Sequence, residues 1–83
     1  SILGQKRSID RLMGFLALLV EEHGMATADG YYLPYTLTHT QIASAIGTTR
    51  VTVTRLMGRL RQQGLIFVDD NNLIGLPGLF PLS

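Results

Sequence analysis

The residues best suited to chemistry in this sequence are arginines, and they are concentrated in one stretch. Between Thr38 and Gly64 the chain carries no acidic residue and four arginines, which are Arg50, Arg55, Arg59 and Arg61. The net charge of the whole chain is only +1, so the positive charge is local rather than general. A guanidinium group is always charged, and its planar set of donors fits phosphate groups and the edge of guanine. The stretch therefore favours an anionic partner such as nucleic acid.

The other residue types give little support to catalysis or metal binding. Cysteine is absent, which removes disulfides, thiolate metal sites and thiol nucleophiles. His23 and His39 are far apart in the sequence and have no third ligand nearby, so a metal site is not expected. Asp69 and Asp70 lie on a predicted turn, which offers no cleft for a catalytic pair of carboxylates. We therefore expect that the chain is not an enzyme and that this domain carries no cofactor.

The first part of the basic stretch predicts a short helix followed by a sharp turn. Thr38 and Gln41 have the spacing of a capping box, in which each residue satisfies a backbone N–H group of the other. The helix that they open should run from about His39 to Ile46. Gly47 then ends the helix and supplies the backbone freedom that a sharp turn needs.

The arginines belong to a second helix, which should run from about Arg50 to Gln63. Thr49 is its predicted N-cap and Gly64 its predicted end. Helical spacing gives the helix an apolar inward stripe of Val53, Leu56, Met57 and Leu60. The same spacing gives it an opposite face of Arg50, Val51, Thr54, Arg55 and Gly58.

A third helix is predicted ahead of this pair, and it should support the core. Ser8 is the predicted N-cap, the helix should run from about Ile9 to His23, and Gly24 is expected to end it in the left-handed conformation. Apolar residues recur along it at helical spacing, namely Ile9, Leu12, Met13, Leu16, Leu19 and Val20.

Two short β-hairpins flank the two-helix unit. The first should lie within residues 25–37 and turn at Asp29-Gly30. Pro34 predicts that its second arm is a sheet edge, because proline cannot donate to a ladder. The second hairpin, a wing, pairs Leu65–Val68 with Leu73–Leu76 across a polar turn.

Together these elements predict one domain over residues 1–83. Its class is mainly α with small β-hairpins (α+β), with a three-helix core and a C-terminal wing. The Gly- and Pro-rich tail, residues 75–83, is expected to lie across the domain surface. No apolar run is long enough to cross a membrane, and we expect a cytoplasmic protein without a membrane partner.

The two-helix unit also has the register of a helix-turn-helix motif. That motif requires small or apolar residues where its two helices touch and a glycine at the turn between them. The sequence meets these requirements with Ile42, Ala43, Ile46, Gly47, Val53 and Leu56.

The order of elements and the run GTTRVTVTRLMGRLRQQGLI resemble the C-terminal winged helix-turn-helix domain of the Crp–Fnr family, the catabolite activator class of bacterial transcription regulators. The run is similar to the cyanobacterial nitrogen regulators of that family. The resemblance implies a sequence-specific domain for double-stranded DNA, with a recognition helix at about residues 50–63 in the major groove of a palindromic site. It further implies a homodimer, RNA polymerase as a partner, and an N-terminal effector and dimerisation region for which residues 1–7 would be the linker.

The resemblance assigns base contacts to the exposed face of the recognition helix. Arg50 and Arg55 match the family's two arginines, and each can pair bidentately with guanine. Val51 stands where the catabolite activator has a glutamate, so it can touch a thymine methyl group but cannot accept a hydrogen bond from cytosine. With Thr54, these residues form the expected set of base contacts, and the similarity to the nitrogen regulators suggests a GTA-like half-site.

Phosphate contacts are expected at the two helix N-termini. Thr38 and Thr49 match positions that contact phosphate in the family, and hydroxyl and free N–H groups suit that role. Arg59 is expected to add a phosphate contact. Gly58 departs from the longer or basic side chain that is usual there, so it is assigned no contact.

An alternative interpretation is a winged helix that binds another protein and does not contact DNA, because a fold alone does not establish a function. A helix that docks on a protein would more often present large apolar anchors on its exposed face. The exposed face predicted here is mainly polar and basic.

Overall fold

The computed structural model describes residues 7–77, which form three helices and four short strands. The helices are α1 (Ser8–His23), α2 (His39–Ile46) and α3 (Arg50–Gln62). The strands are β1 (Met25–Thr27), β2 (Gly30–Tyr32), β3 (Phe67–Val68) and β4 (Ile74–Pro77). This arrangement confirms the predicted winged helix-turn-helix fold class. The predictions for residues 1–6 of the linker and residues 78–83 of the tail lie outside the described residues.

The two ends of α1 differ from the prediction. The helix begins at Ser8 itself, with Arg7 as an N-cap whose side chain makes no capping hydrogen bond. Gly24 is not left-handed, because its φ of −66° and ψ of 151° are those of extended chain leading directly into β1. Glycine suits this position for a different reason. An added Cβ would come within 2.8 Å of Val20 Cγ1 and still closer to the Val20 carbonyl oxygen.

The strands form one antiparallel sheet in the order β1-β2-β4-β3 rather than two separate hairpins. The prediction that the second arm of the first hairpin is an edge was wrong, because β2 lies between β1 and β4. Pro34 follows the end of β2, so it removes no hydrogen bond from the ladder. The segment Tyr35–Leu37, the last part of the range predicted for the first hairpin, lies outside the strands.

The first residues of the tail belong to the sheet and not to the domain surface. Gly75–Pro77 lie in β4, where Leu76 pairs with Tyr31 and is fully buried. Pro77 is the last residue of the strand and lies opposite Gly30 of β2.

The core lies between the three helices and the inner face of the sheet. Its buried residues include Leu12, Leu16 and Val20 of α1, the inward stripe of α3, and Leu33, Ile66, Ile74 and Leu76 around the sheet. No polar or charged side chain is buried among residues 7–77. Within the same residues, no helix combines the length and the apolar character that a bilayer-spanning segment requires.

Candidate nucleic-acid interface

The N-terminus of α2 is held by the predicted capping box. The Gln41 N–H donates to Thr38 Oγ1 at 3.0 Å. In return, the Thr38 N–H donates to Gln41 Oε1 at 2.8 Å. Both bonds are solvent-exposed, so the start of α2 is fixed by local chemistry and remains accessible to a partner.

The turn between α2 and α3 depends on Gly47. Its φ of 76° and ψ of 44° place it in the left-handed region, a use of the backbone freedom that was predicted for this turn. The Gly47 and Thr48 N–H groups both donate to the Ala43 carbonyl oxygen at 2.9 Å, so this carbonyl in the last turn of α2 has hydrogen-bond partners. Ala43 is 4% exposed, and its small side chain allows the backbones of α2 and α3 to approach each other.

Both ends of α3 have defined caps. The Thr52 N–H donates to Thr49 Oγ1 at 3.2 Å, which confirms Thr49 as the N-cap. At the other end Gly64 has a φ of 74°. The Gly64 N–H donates to the Arg61 carbonyl and the Leu65 N–H to the Leu60 carbonyl, a pattern known as the Schellman motif. The helix ends at Gln62, one residue before the predicted boundary, because Gln63 is the C-cap.

The two faces of α3 are separated as predicted. The inward stripe is buried, with exposed fractions of 0% for Val53 and 1% for Leu60. The exposed residues on the helix are Arg50, Val51, Thr54, Arg55, Gly58, Arg59, Arg61 and Gln62. We call Arg50, Val51, Thr54 and Arg55 the reading face. Val51 is 67% exposed, so an apolar side chain is presented to solvent among the arginines.

The arginines of α3 are free of ion pairs with the rest of the described chain. Among residues 7–77, only His23 and Glu22 come within salt-bridge distance, at 3.9 Å. The first turn of α3 contains no acidic residue. Its positive N-terminal dipole is therefore not offset by a neighbouring carboxylate. The surface around α3 can attract a polyanion without first breaking internal ion pairs.

The structure also shows a polar contact that sequence reasoning missed. His39 Nδ1 lies 2.7 Å from Thr54 Oγ1 and joins the first residue of α2 to the reading face of α3. The helix-turn-helix register brings these helices together, but it does not specify which side-chain atoms meet. The available clue was the imidazole of His39 at the start of α2, which the sequence analysis weighed only as a possible metal ligand.

The wing lies beside the N-terminus of α2. An open hollow between them is lined by Leu37, Thr38 and His39 on one side and by Val68 and Asn72 of the wing on the other. The tip of the wing is shaped by Asp69, whose Oδ1 accepts from the Asn71 and Leu73 N–H groups at 2.9 Å. Thr38 and the wing thus line one hollow, and His39, which also lines it, contacts Thr54 of the reading face.

Comparison with known sequences gives two kinds of match. Residues 10–77 match the model of the Crp-like helix-turn-helix domain family. The chain is 48% identical over 63 residues to the global nitrogen regulator of Nostoc sp., which covers 76% of this chain and 28% of that protein. It is 39% identical over 77 residues to the regulatory protein CysR of Synechococcus elongatus, which covers 89% of this chain and 37% of that protein. The chain therefore spans about a third of these relatives' length.

Solved structures with the same arrangement of elements include two regulators. A CooA mutant from Carboxydothermus hydrogenoformans superposes with a TM-score of 0.78 at 27% identity, over 88% of this chain and 34% of that one. A transcriptional regulator of the CRP family from Thermus thermophilus gives a TM-score of 0.76 at 25% identity, over 90% of this chain and 37% of that one. With the family match over most of the sequence, these findings show that this chain belongs to the Crp-like helix-turn-helix domain family, which confirms the resemblance to the Crp–Fnr regulators.

Proposed function

We propose that this domain binds double-stranded DNA sequence-specifically as part of a bacterial transcription regulator, with α3 as its recognition helix. The observation that carries the proposal is the exposed, basic reading face of α3, directly opposite the stripe that fixes the helix to the core. The proteins that the chain resembles are named as regulators, which supports the same function.

The dimensions of α3 suit the major groove. Its 13 residues give a length of about 20 Å at 1.5 Å per residue. The major groove of B-DNA is about 12 Å wide and admits one α-helix. Arg50 and Val51 lie in the first turn of α3 and Arg55 in the second, so the N-terminal half of the helix would face the base edges.

Phosphate groups would be held at the N-termini of α2 and α3. The Thr38 hydroxyl oxygen accepts from Gln41, so its proton remains available for a phosphate oxygen. The Thr49 hydroxyl donates to Thr52 Oγ1 at 3.0 Å, so its proton is already engaged. The free N–H groups in the first turn of α3 are therefore the better donors at that end. Arg59, exposed on the same helix, adds a positive charge.

Base recognition would combine hydrogen bonds with methyl contacts. Arg50 and Arg55 make no ion pair with residues 7–77, and each guanidinium group can donate to both acceptors of a guanine. Val51 offers its methyl groups to a thymine, which agrees with a GTA-like half-site and differs from the preference expected of a glutamate there.

The full-length protein would act as a homodimer on a palindromic site. Two copies of α3 would then read half-sites about one helical turn apart. The proposed dimer and a contact with RNA polymerase are inferred from membership of the family. The isolated domain would bind DNA weakly, because it engages a single half-site.

A fluorescence titration of the full-length protein with a palindromic duplex at several salt concentrations tests the proposal. The logarithm of the affinity should fall linearly with the logarithm of the salt concentration, with a slope of about −0.9 for each phosphate neutralised. A scrambled duplex should retain that slope but bind more weakly. If α3 docks on a protein instead, neither duplex should bind with this salt dependence, and the proposal would be wrong.

A further inference from the structure

The contact between His39 and Thr54 fixes a side chain of the reading face. The distance of 2.7 Å between His39 Nδ1 and Thr54 Oγ1 is short for a hydrogen bond between a nitrogen and an oxygen. His39 is half-buried at the start of α2, beside the capping box, so the imidazole is attached to a well-defined element. Thr54 is exposed, and nothing else in the described chain hydrogen-bonds to its hydroxyl.

This bond selects the orientation of Thr54. In a helix, threonine divides its χ1 between two rotamers. Because the bond directs Oγ1 towards α2, it restricts Thr54 to a rotamer that keeps this contact and so fixes where its methyl group lies. Val51, one helical turn earlier on the same face, also presents methyl groups.

We propose that His39 is a positioning residue that makes Thr54 recognise the 5-methyl group of a thymine. The inference rests on the proposed DNA-binding function and extends it to a residue outside the recognition helix. A threonine that is free to change rotamer can turn its hydroxyl towards several different base edges and so discriminates poorly. With its Oγ1 held towards α2 by His39, Thr54 keeps one rotamer, and its methyl group joins Val51 between Arg50 and Arg55. This fixed orientation favours contact with a thymine methyl group.

Duplexes in which single thymines are replaced by deoxyuridine test this inference, because that change removes only the methyl group. The starting duplex is the one that the full-length protein binds most tightly in a selection from random sequences. Deoxyuridine in place of the thymine read by Thr54 should weaken binding about fourfold. This is the change in affinity expected from the loss of one buried methylene-sized group. A Thr54→Ser variant, which keeps the hydroxyl but lacks the methyl group, should abolish this difference.

Variants of His39 then show whether its hydrogen bond orients Thr54 or whether the imidazole only packs beside it. At the thymine read by Thr54, His39→Ala should bring the ratio of the affinities for the thymine and deoxyuridine duplexes close to one. The same ratio at a thymine read by Val51 should not change. His39→Asn places an amide near the position of Nδ1 and should restore the ratio. The matched control is Thr40→Ala, an exposed neighbour on α2, which should leave both ratios unchanged.

The outcomes distinguish this inference from the function on which it rests. If the wild-type protein selects no duplex, the proposed function is wrong and the inference falls with it. If the protein selects a duplex but no thymine shows the difference, or if His39→Ala and His39→Asn both keep the wild-type ratio, the role of His39 is overturned and DNA binding stands.

Discussion

Replacing Thr38 by aspartate should separate the two roles assigned to this residue, which are capping α2 and contacting phosphate. Aspartate caps helices as well as threonine does, so the bond from the Gln41 N–H should be retained. The first turn of α2 contains no acidic residue, and a carboxylate at its N-terminus is favourable by about 0.3–1 kcal/mol. Thr38→Asp should therefore fold at least as stably as the wild type while placing a negative charge against the phosphate.

The expected magnitudes differ for stability and binding. Thr38→Ala removes the capping bond and should cost about 1 kcal/mol of unfolding free energy. In a domain of this size that loss corresponds to a decrease of about 4–8 °C in melting temperature. For Thr38→Asp, repulsion between the carboxylate and a phosphate at about 4 Å amounts to about 1 kcal/mol in water and about 4 kcal/mol at the effective dielectric near a protein surface. Binding should thus weaken at least fivefold per half-site.

Both quantities can be measured on the same samples, by urea unfolding and by duplex titration. Thr40→Ala is the control, because Thr40 is exposed on α2 and takes no part in the capping box. Equal duplex affinities for the wild type and Thr38→Asp would refute a phosphate contact at Thr38. A fall in unfolding free energy for Thr38→Asp as large as that for Thr38→Ala would refute the capping argument.

Three further predictions concern packing and are checked by urea or thermal unfolding. Ala43→Leu should lower the free energy of unfolding by about 1–3 kcal/mol, because the added atoms must enter the contact between α2 and α3. An unchanged midpoint of the unfolding transition would contradict this packing. Gly58→Ala should stabilise the domain by about 1 kcal/mol, since an added Cβ meets open space and alanine favours helix. Gly14→Ala, equally open on α1, is its matched control, and a loss of stability in both would contradict the geometry. Gly75→Ala should lower the free energy of unfolding by about 1–3 kcal/mol, because the Phe67 ring occupies the position of the added Cβ. If the variant is as stable as the wild type, the ring does not lie there.

The parts of the fold that sequence reasoning predicted well are those set by local chemistry. The capping box of Thr38 and Gln41, the left-handed Gly47 and the Thr49 cap each depend on atoms a few residues apart. Because the helix-turn-helix motif is built from such local features, the bounds of α2 were predicted to the residue and those of α3 to within one.

The features that were missed depend on residues distant in the sequence. The prediction treated the two hairpins separately, whereas Gly75–Pro77 pair with β2 and join them into one sheet. A short apolar run near proline does not reveal which strand it will pair with. Gly24 was predicted to be left-handed because glycine often ends helices that way, but it is extended, and its missing Cβ instead allows a close approach to Val20.

For the candidate site, the sequence predicted which residues are exposed but not how they are connected. The reading face was correctly placed opposite the inward stripe, since helical periodicity alone determines that relation. The bond between His39 and Thr54 spans 15 residues and required the crossing of α2 and α3 to be known. The assigned contacts with bases and phosphates remain predictions.

The measurement that tests the central claim most directly is a base-pair scan with the Arg50→Ala variant of the full-length protein. Each base pair of the best duplex is changed in turn, and the affinities of the wild type, Arg50→Ala and Arg61→Ala are compared. Arg50→Ala should lose about 1–3 kcal/mol of binding free energy on the best duplex. It should also lose discrimination between bases at one base pair in each half-site, while discrimination at the other positions is unchanged. Arg61→Ala should preserve the discrimination at every position. A uniform loss across all duplexes for Arg50→Ala, or no loss, would contradict the claim that α3 reads the bases.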